Sequence, residues 1–311
     1  MKISDNFFLK NKLAVMNLAR DFLVIQPGDT IPTIDHYVNA FSMSRGTIQA
    51  AMLFLSQKQC ISTQFRGHLG TVLLDKNQSL LWDYSGFGTL TGAMALPLNP
   101  LVSGLATGIC ECMKKDKVSF NCAFIQGSRT RLEGLSKDKY DFVIASQLTS
   151  SILLDQYESI HKVMDLHGCA YSGKYTLLFR SGLTEVQDGM VVALDSSSID
   201  QAYLTNLVCQ GKDIRRFETS YINTRLSVIN GSADFTVARM DAINPIYFSQ
   251  CFDLCLPDYT SEEVEAFTNT VVLASSNNYG IDQLLTHVLQ ADKILEVQNQ
   301  VINGTMPPLY Y

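Results

Sequence analysis

The sequence predicts a mixed α/β chain in two parts: a small helical head closed by a β-hairpin, then a larger body of two similar α/β lobes. Three observations predict it. Residues 31–73 hold a helix, a tight turn, a second helix and a glycine-turned hairpin in that order. The segments that open Asp141-Phe142 and Asp234-Phe235 repeat one pattern of helix end, polar turn and buried strand. The chain has 311 residues, enough for roughly two domains of about 150 each.

In the head, the spacing of Leu9, Leu13, Met16 and Leu23 predicts a helix over residues 6–23, stopped by Pro27-Gly28-Asp29. Ile31-Pro32-Thr33 leads into Ile34, Tyr37 and Val38, one apolar face of a short helix, and Phe41-Ser42-Met43 makes the turn. Ser44 suits the N-cap of the next helix, because its hydroxyl can accept from the free N–H groups of the first turn. Ile48, Ala51, Met52 and Leu55 recur at the spacing of a buried face, which turns Arg45, Thr47 and Gln49 outward at the helix start. Phe65 to Leu73 reads as a hairpin turned at Gly67 and Gly70, with an apolar returning strand. Together these make a winged helix-turn-helix, a unit that sets the first turn of its second helix into the major groove.

This stretch resembles the DNA-binding domain of GntR-type repressors. The matches are Pro32, Ser44, Arg45, Thr47, Ile48, Gly70 and Thr71. Gln49 departs from the second arginine common in that recognition helix, and the wing has one extra residue between Gly67 and Gly70, so the family's usual operator is not implied. The resemblance implies double-stranded DNA as partner. Arg45 is the first candidate, since a guanidinium can take a guanine edge or a phosphate bidentately. Ser44, Thr47 and Gln49 accompany it on the helix start, and Arg66, Gly67 and His68 at the wing tip would reach the backbone or minor groove.

Residues 1–75 carry seven Lys/Arg against five Asp, a net +2, which leaves −8 of the chain's −6 total for the remainder. An acidic body repels DNA, so non-specific affinity should be modest and salt-sensitive. With 46% hydrophobic and 17% charged residues the chain suits a packed globular protein. The eight cysteines include no Cys-x-x-Cys and read as reduced core thiols rather than a zinc site. The five histidines (His36, His68, His161, His167, His287) form no i, i+4 pair, and neither metal nor cofactor is expected. The N-terminus lacks a charged-then-apolar signal pattern. The uncharged run from Tyr84 to Cys110 is interrupted by Pro97, Pro100 and five glycines, so it reads as buried strand, turn and helix rather than a membrane span. A cytoplasmic protein is expected.

Asp75 to Ser79 is polar and marks a linker. The expected boundaries are a head over 1–75, a linker over 76–90 with Trp82 and Phe87 as anchors to the next domain, and a body over 91–311 whose second lobe runs roughly 170–245. Each Asp-Phe strand follows two candidate strands, 91–96 and 118–125 in the first lobe and 190–194 and 214–219 in the second. Strands alternating with helices imply parallel sheets with right-handed crossovers. Two facing lobes make a cleft, and ligands in such sheets bind beyond the C-terminal strand ends. The layout is similar to type 2 periplasmic-binding-protein-like domains, which many bacterial regulators use to sense metabolites. Head and body together resemble the YhfZ type of GntR-like regulator.

Cleft candidates are Thr91 and Gly92, Ser128 and Arg129, Ser146 and Gln147, then Ser196, Ser197 and Ser198, with Tyr221 and Arg239. Serine hydroxyls beside helix N-termini suit a carboxylate or phosphate, although each serine suits plain helix capping equally. The expectation is a small anionic effector clamped between lobes, and a homodimer that sets two recognition helices one DNA turn apart on a near-palindromic site. Ile281, Leu284, Leu285, Val288 and Leu295 predict one long last helix, its apolar face either core or dimer contact. No catalytic residue is assigned. Gly86-Phe87-Gly88 has Thr91 where a dinucleotide loop needs its third glycine, and neither a phosphate loop nor a Gly-x-Ser-x-Gly elbow is present. Two alternatives stay open: a two-lobed enzyme carrying a winged module, and a ligand-free dimerisation scaffold.

Overall fold

The structure is a computed structural model and describes residues 3–239, 251–253 and 259–310. It divides into two compact units, residues 1–90 with 278–288, and residues 91–277 with 289–311.

The first unit opens with α1 (Ile3–Val24), α2 (Ile34–Phe41) and α3 (Arg45–Gln57), followed by β1 (Ile61–Phe65), a 3₁₀ turn over Gly67–Leu69, β2 (Thr71–Lys76) and α4 (Gln78–Ser85). α1 buries Ala14, Leu18, Ala19, Phe22 and Leu23, whereas Leu13 stays 47% exposed. Of the predicted face, Leu23 is buried and Met16 half-buried, Leu13 is not, and the Leu9 side chain lies outside the described residues. α2 is capped by Thr33, whose hydroxyl accepts from the His36 N–H, and ends on Ser42 in the left-handed region (φ 53°). Ser44 caps α3 by accepting from the Thr47 N–H at 3.2 Å. Ile48, Ala51 and Leu55 are buried beneath it, each large aliphatic side chain contributing about 1.5–3 kcal/mol of burial. β1 and β2 pair antiparallel from Ile61↔Lys76 to Phe65↔Thr71.

Residues 76–90, expected as a linker, fold into this same unit. Lys76 Nζ donates to the carbonyls of Phe22, Leu23 and Ile25, where the C-terminal end of α1 presents its unpaired acceptors. Trp82 donates its indole N–H to the Gly88 carbonyl, and Phe87 lies between the Trp82 ring and the Arg20 guanidinium. Trp82 and Phe87 therefore pack within the head unit itself.

The second unit begins with β3 (Leu90–Met94), α5 (Pro100–Lys115), β4 (Phe120–Phe124), α6 (Ser128–Leu135), β5 (Phe142–Ser146), α7 (Gln147–Leu153) and β6 (Ile160–Ala170). β7 (Tyr175–Phe179), β8 (Val191–Leu194), α8 (Ile199–Val208), β9 (Arg215–Glu218), α9 (Tyr221–Ile229), β10 (Phe235–Arg239) and β11 (Cys251–Asp253) follow in a second lobe. Then come α10 (Ser261–Ala266), β12 (Asn269–Ser275), α11 (Ile281–Val288) and α12 (Ala291–Ile302), of which α11 belongs to the first unit. The two five-stranded sheets run β4-β3-β5-β12-β6 and β11-β7-β10-β8-β9.

The internal echo is real in both order and detail. β4-β3-β5 and β9-β8-β10 have the same spatial order. In the first lobe Asp141 accepts the Thr91 N–H on its carboxylate and donates its own N–H to the Thr91 carbonyl, at 2.8 and 2.9 Å. In the second, Asp234 makes the same reciprocal pair with Val191, at 2.9 and 2.7 Å. The aspartate of each Asp-Phe step thus zips the start of one parallel strand to the start of its neighbour.

The sheets are mixed, not parallel throughout. β3/β5, β8/β10 and β8/β9 are parallel, but β12 is antiparallel to β5 and β6, and β7 is antiparallel to β10 and β11. The cause is the hinge. A strand that enters a lobe from the hinge starts at the cleft, and so runs against the strands that end there. The two hinge segments meet where the Tyr171 N–H donates to the Thr268 carbonyl at 2.9 Å.

The single long C-terminal helix expected from the sequence is two. α11 buries Ile281, Leu284, Leu285 and Val288, and α12 lies across α5. A Cβ on Gly104 would sit 2.9 Å from Gln298 Cα, and one on Gly108 2.9 Å from Ile294 Cα, so only glycines allow these backbones to touch. The apolar faces of both helices are core. Cys60, Cys110, Cys112 and Cys169 are buried free thiols; Cys255 and the Cys251 side chain lie outside the described residues. Among the described residues no helix is long and apolar enough to cross a membrane, and no cluster of His, Cys, Asp or Glu could hold a metal ion.

Candidate functional site

Two surfaces carry chemistry, one in each unit. In the head, Arg45 and Gln49 are exposed at the start of α3 and Thr47 is half-buried. Arg45 forms an ion pair with Asp35 of α2, with 59% of the Arg45 side chain and 72% of the Asp35 side chain still exposed. Thr47 shares a 2.9 Å hydrogen bond with the Ser44 hydroxyl, so these two residues order the first turn as well as facing outward. In the wing, the 3₁₀ turn accommodates the extra residue between Gly67 and Gly70. Arg66, Gly67 and His68 are all exposed there, Arg66 donating to the Gln64 amide oxygen at 3.2 Å. Phe65 and Leu69 are also 74% and 70% exposed at this tip.

In the second unit a small cavity, open to solvent on one side, lies at the C-terminal strand ends between the lobes. The ends of β3 and β4, the N-terminal turns of α6, α8 and α9, the hinge and the last residue of β10 form its wall. Arg131 of α6 is only 2% exposed. It donates through Nη1 to the Ile125 carbonyl at 2.7 Å and through Nη2 to the Tyr171 hydroxyl at 2.6 Å. Its Nε, and the hydroxyl of Tyr221, are buried with no partner among the described residues. Arg239 holds its guanidinium 5.5 Å from the Tyr221 ring centroid. Asp200 is buried at the same wall, one oxygen accepting from the Ser146 and Thr149 hydroxyls at 2.6 and 2.9 Å. Burial pushes its carboxyl above the usual carboxylate range; those two hydrogen bonds and the charges of Arg131 and Arg239 oppose the rise.

A set of hydrogen bonds joins the lobes at the cavity's edge. Ser128 accepts from the Ile199 N–H at 3.2 Å, and the Arg129 N–H donates to the Ser197 carbonyl at 3.3 Å. Asp195 accepts from Ser197 N–H and Oγ, from the Tyr221 N–H at 2.8 Å, and across the cleft from the Gln126 amide at 3.1 Å. Burial raises the Asp195 carboxyl, but these hydrogen bonds outweigh it and hold the group below its ordinary value. Gly127 has φ +80°, and a Cβ there would meet Ser197 Oγ at 2.6 Å, so this crossing point needs glycine.

Of the cleft residues expected from the sequence, Ser128, Ser198, Tyr221 and Arg239 line the cavity. Thr91 and Gly92 do not: Thr91 pairs with Asp141 at the N-terminal end of β3, the end opposite a ligand site, and Gly92 packs under Phe142 and Phe120. Ser146 is buried behind the wall, capping α7 and holding Asp200; Gln147 starts α7 and lies outside the lining. Arg129 donates to Gln156, Ser196 to Glu218 and Ser197 to Asp195, so all three serve structure around the cavity. Sequence reading missed Gln126, Arg131, Tyr171, Tyr175 and Asp200. Arg131 left one signal, a cation among Leu132 and Leu135 on the apolar face of α6. Asp200 left none, since an acid in a first helical turn is ordinary.

Comparison with known proteins agrees with both units. A helix-turn-helix domain model matches residues 26–73, and the YhfZ C-terminal domain model matches residues 77–310. Protein YhfZ of Escherichia coli (strain K12) is 28% identical over 304 residues, which cover 98% of this chain and 99% of that protein. The crystal structure of YhfZ from Shigella flexneri is 26% identical, with a TM-score of 0.62 over 74% of this chain and 97% of that one. A periplasmic substrate-binding protein of an ABC transporter from Coxiella burnetii is 13% identical, with a TM-score of 0.46 over 71% of this chain and 100% of that one. With a family model spanning the whole body and a relative aligned from end to end, the chain belongs to the YhfZ family.

Proposed function

We propose that this chain is a ligand-responsive transcriptional regulator. The winged head binds double-stranded DNA in the manner of GntR-like repressors, reading a near-palindromic site as a homodimer. The cleft of the body senses a small anionic metabolite. The observation that carries the reading is the exposure of Arg45 and Gln49 at the start of α3, the second helix of a helix-turn-helix followed by a two-stranded wing. Two buried guanidiniums that line the cleft, Arg131 from the first lobe and Arg239 from the second, support the anion. Effector binding would favour one arrangement of the lobes and so bias DNA affinity, because a ligand shifts only those equilibria whose states it binds differently. The protein works in the cytoplasm, where its DNA lies, and performs no catalysis. The test is selection of bound duplexes from a random library with full-length protein, followed by titration with and without carboxylates and sugar phosphates. No enriched duplex would refute the DNA-binding reading. Enrichment of a site that no ligand modulates would leave a scaffold. Turnover of a bound ligand would make the body an enzyme.

A further inference from the structure

We propose that the wing tip acts on DNA as an apolar wedge: Phe65 and Leu69 press into one base step from the minor groove, partly unstack it and kink the duplex there. The proposal rests on the reading that the head binds double-stranded DNA, and adds what the wing does to it. Among the described residues these are the two most exposed large apolar side chains, at 74% and 70%. Both stand at one hairpin tip. Phe65 ends β1 opposite Thr71, and Leu69 closes the 3₁₀ turn in the loop that follows. Along β1 the positions on one face, Ile61, Thr63 and Phe65, run from buried to half-buried to exposed, so the tip stands clear of the head's core.

The tip is built to hold that shape. Gly67 and Gly70 take φ of +57° and +79°, a region that favours glycine. The Arg66 N–H donates to the Gly70 carbonyl at 2.8 Å, the Leu69 N–H to the Arg66 carbonyl at 3.2 Å and the Gly70 N–H to the Gly67 carbonyl at 3.0 Å. The Thr30 hydroxyl donates to the Leu69 carbonyl at 3.4 Å, which ties the loop to the segment before α2. An apolar pair held outward on a loop fixed in this way marks a contact surface. The neighbours identify the partner. Residues 61–74 contain no Asp or Glu, and Arg66 and His68 are exposed between the two apolar side chains. The hairpin follows directly on α3 in the same compact unit, so a duplex engaged by α3 offers its phosphates to Arg66 and His68. Phe65 and Leu69 gain nothing from phosphates; the apolar surface a duplex can give them is the base stack itself. They add no hydrogen bond to a base edge, so they select a step that unstacks at low cost, a pyrimidine followed by a purine.

The test uses the full chain with duplexes selected from a random library. Energy transfer between dyes on the two duplex ends reads the bend, and 2-aminopurine placed along the site reports the unstacked step. The wild type should bend its duplex by at least about 20°, with 2-aminopurine brightening at one pyrimidine–purine step. Phe65→Thr combined with Leu69→Ser should leave thermal unfolding unchanged, abolish the bend and weaken binding about tenfold. The slope of log Kd against log salt should stay as in the wild type, because no phosphate contact is lost, whereas Arg66→Ala should flatten it. A bound duplex that stays straight, or a double variant that keeps both bend and affinity, would overturn the wedge and leave the DNA-binding reading standing. A double variant that falls from dimer to monomer in light scattering without DNA would place the tip against protein and overturn the wedge too. Failure to select any duplex would overturn both readings.

Discussion

Replacing Arg45 with alanine should weaken binding to the selected DNA site by about 1–3 kcal/mol and leave the fold in place. Arg45 reaches out from the first turn of α3, and its ion-pair partner among the described residues, Asp35, sits on the preceding helix. Both side chains are more than half exposed, and a pair of that kind contributes about 0.2–1 kcal/mol to folding, so thermal stability should fall by less than about 1 kcal/mol. The pair makes a second expectation that a bare arginine would not. DNA must take Arg45 from Asp35, whose carboxylate also repels phosphates. Asp35→Asn should therefore tighten binding, by roughly the 0.2–1 kcal/mol of the lost competitor, about 1.4- to 5-fold. In the double variant that gain should mostly vanish. Fluorescence anisotropy against the selected duplex, at two salt concentrations, reads all three proteins. Unchanged affinity for Arg45→Ala, or an Asp35→Asn loss as large as the Arg45→Ala loss, would mean the pair only braces α2 against α3, and the reasoning would be wrong.

Further outcomes follow from the packing and the charges. Gly108→Ala should destabilise the protein by about 1–3 kcal/mol, because its Cβ would press on the Ile294 backbone. Gly46→Ala should stabilise it by about 0.5–1 kcal/mol, since nothing lies closer than 4.0 Å there; denaturant unfolding of the two variants checks both signs. Arg20→Ala removes donors to the carbonyls of Ser85 and Tyr279 and to the Asn278 side chain, and should cost about 2–4 kcal/mol. Hydrogen exchange in residues 278–288 should rise with it, and unaltered protection there would refute the tether. Asp195 has a folded-state pKa below its unfolded value, so its contribution is present above the unfolded carboxylate pKa and is lost as pH falls through the lower, folded one. The stability gap between wild type and Asp195→Asn should close across that acidic window in urea titrations; a gap constant with pH would deny Asp195 its bridging role.

The sequence by itself determined the head and the body's repeat. A capping serine, an i, i+3, i+4, i+7 stripe and a glycine-turned wing are local devices. Each needs only neighbouring residues, and Ser44, Ile48 and the hairpin fold as their spacing demands. The Asp-Phe echo was legible for the same reason: one carboxylate zips the start of a strand to the strand beside it, and the repeat carries that need twice. The cavity was not legible in this way. Its wall joins Arg131, Tyr171, Asp200 and Arg239 from four distant segments, and only chain crossings at the hinge bring them together. Hydroxyls that looked like ligand contacts, Ser146 and Ser197, instead hold the acids beside them. The antiparallel strands β7 and β12 and the assignment of α11 to the head also depend on where the chain turns back, which residue spacing does not encode. Local hydrogen bonding and periodicity fix an element from its own residues, whereas a binding site is fixed by which elements meet, and tertiary packing alone decides that.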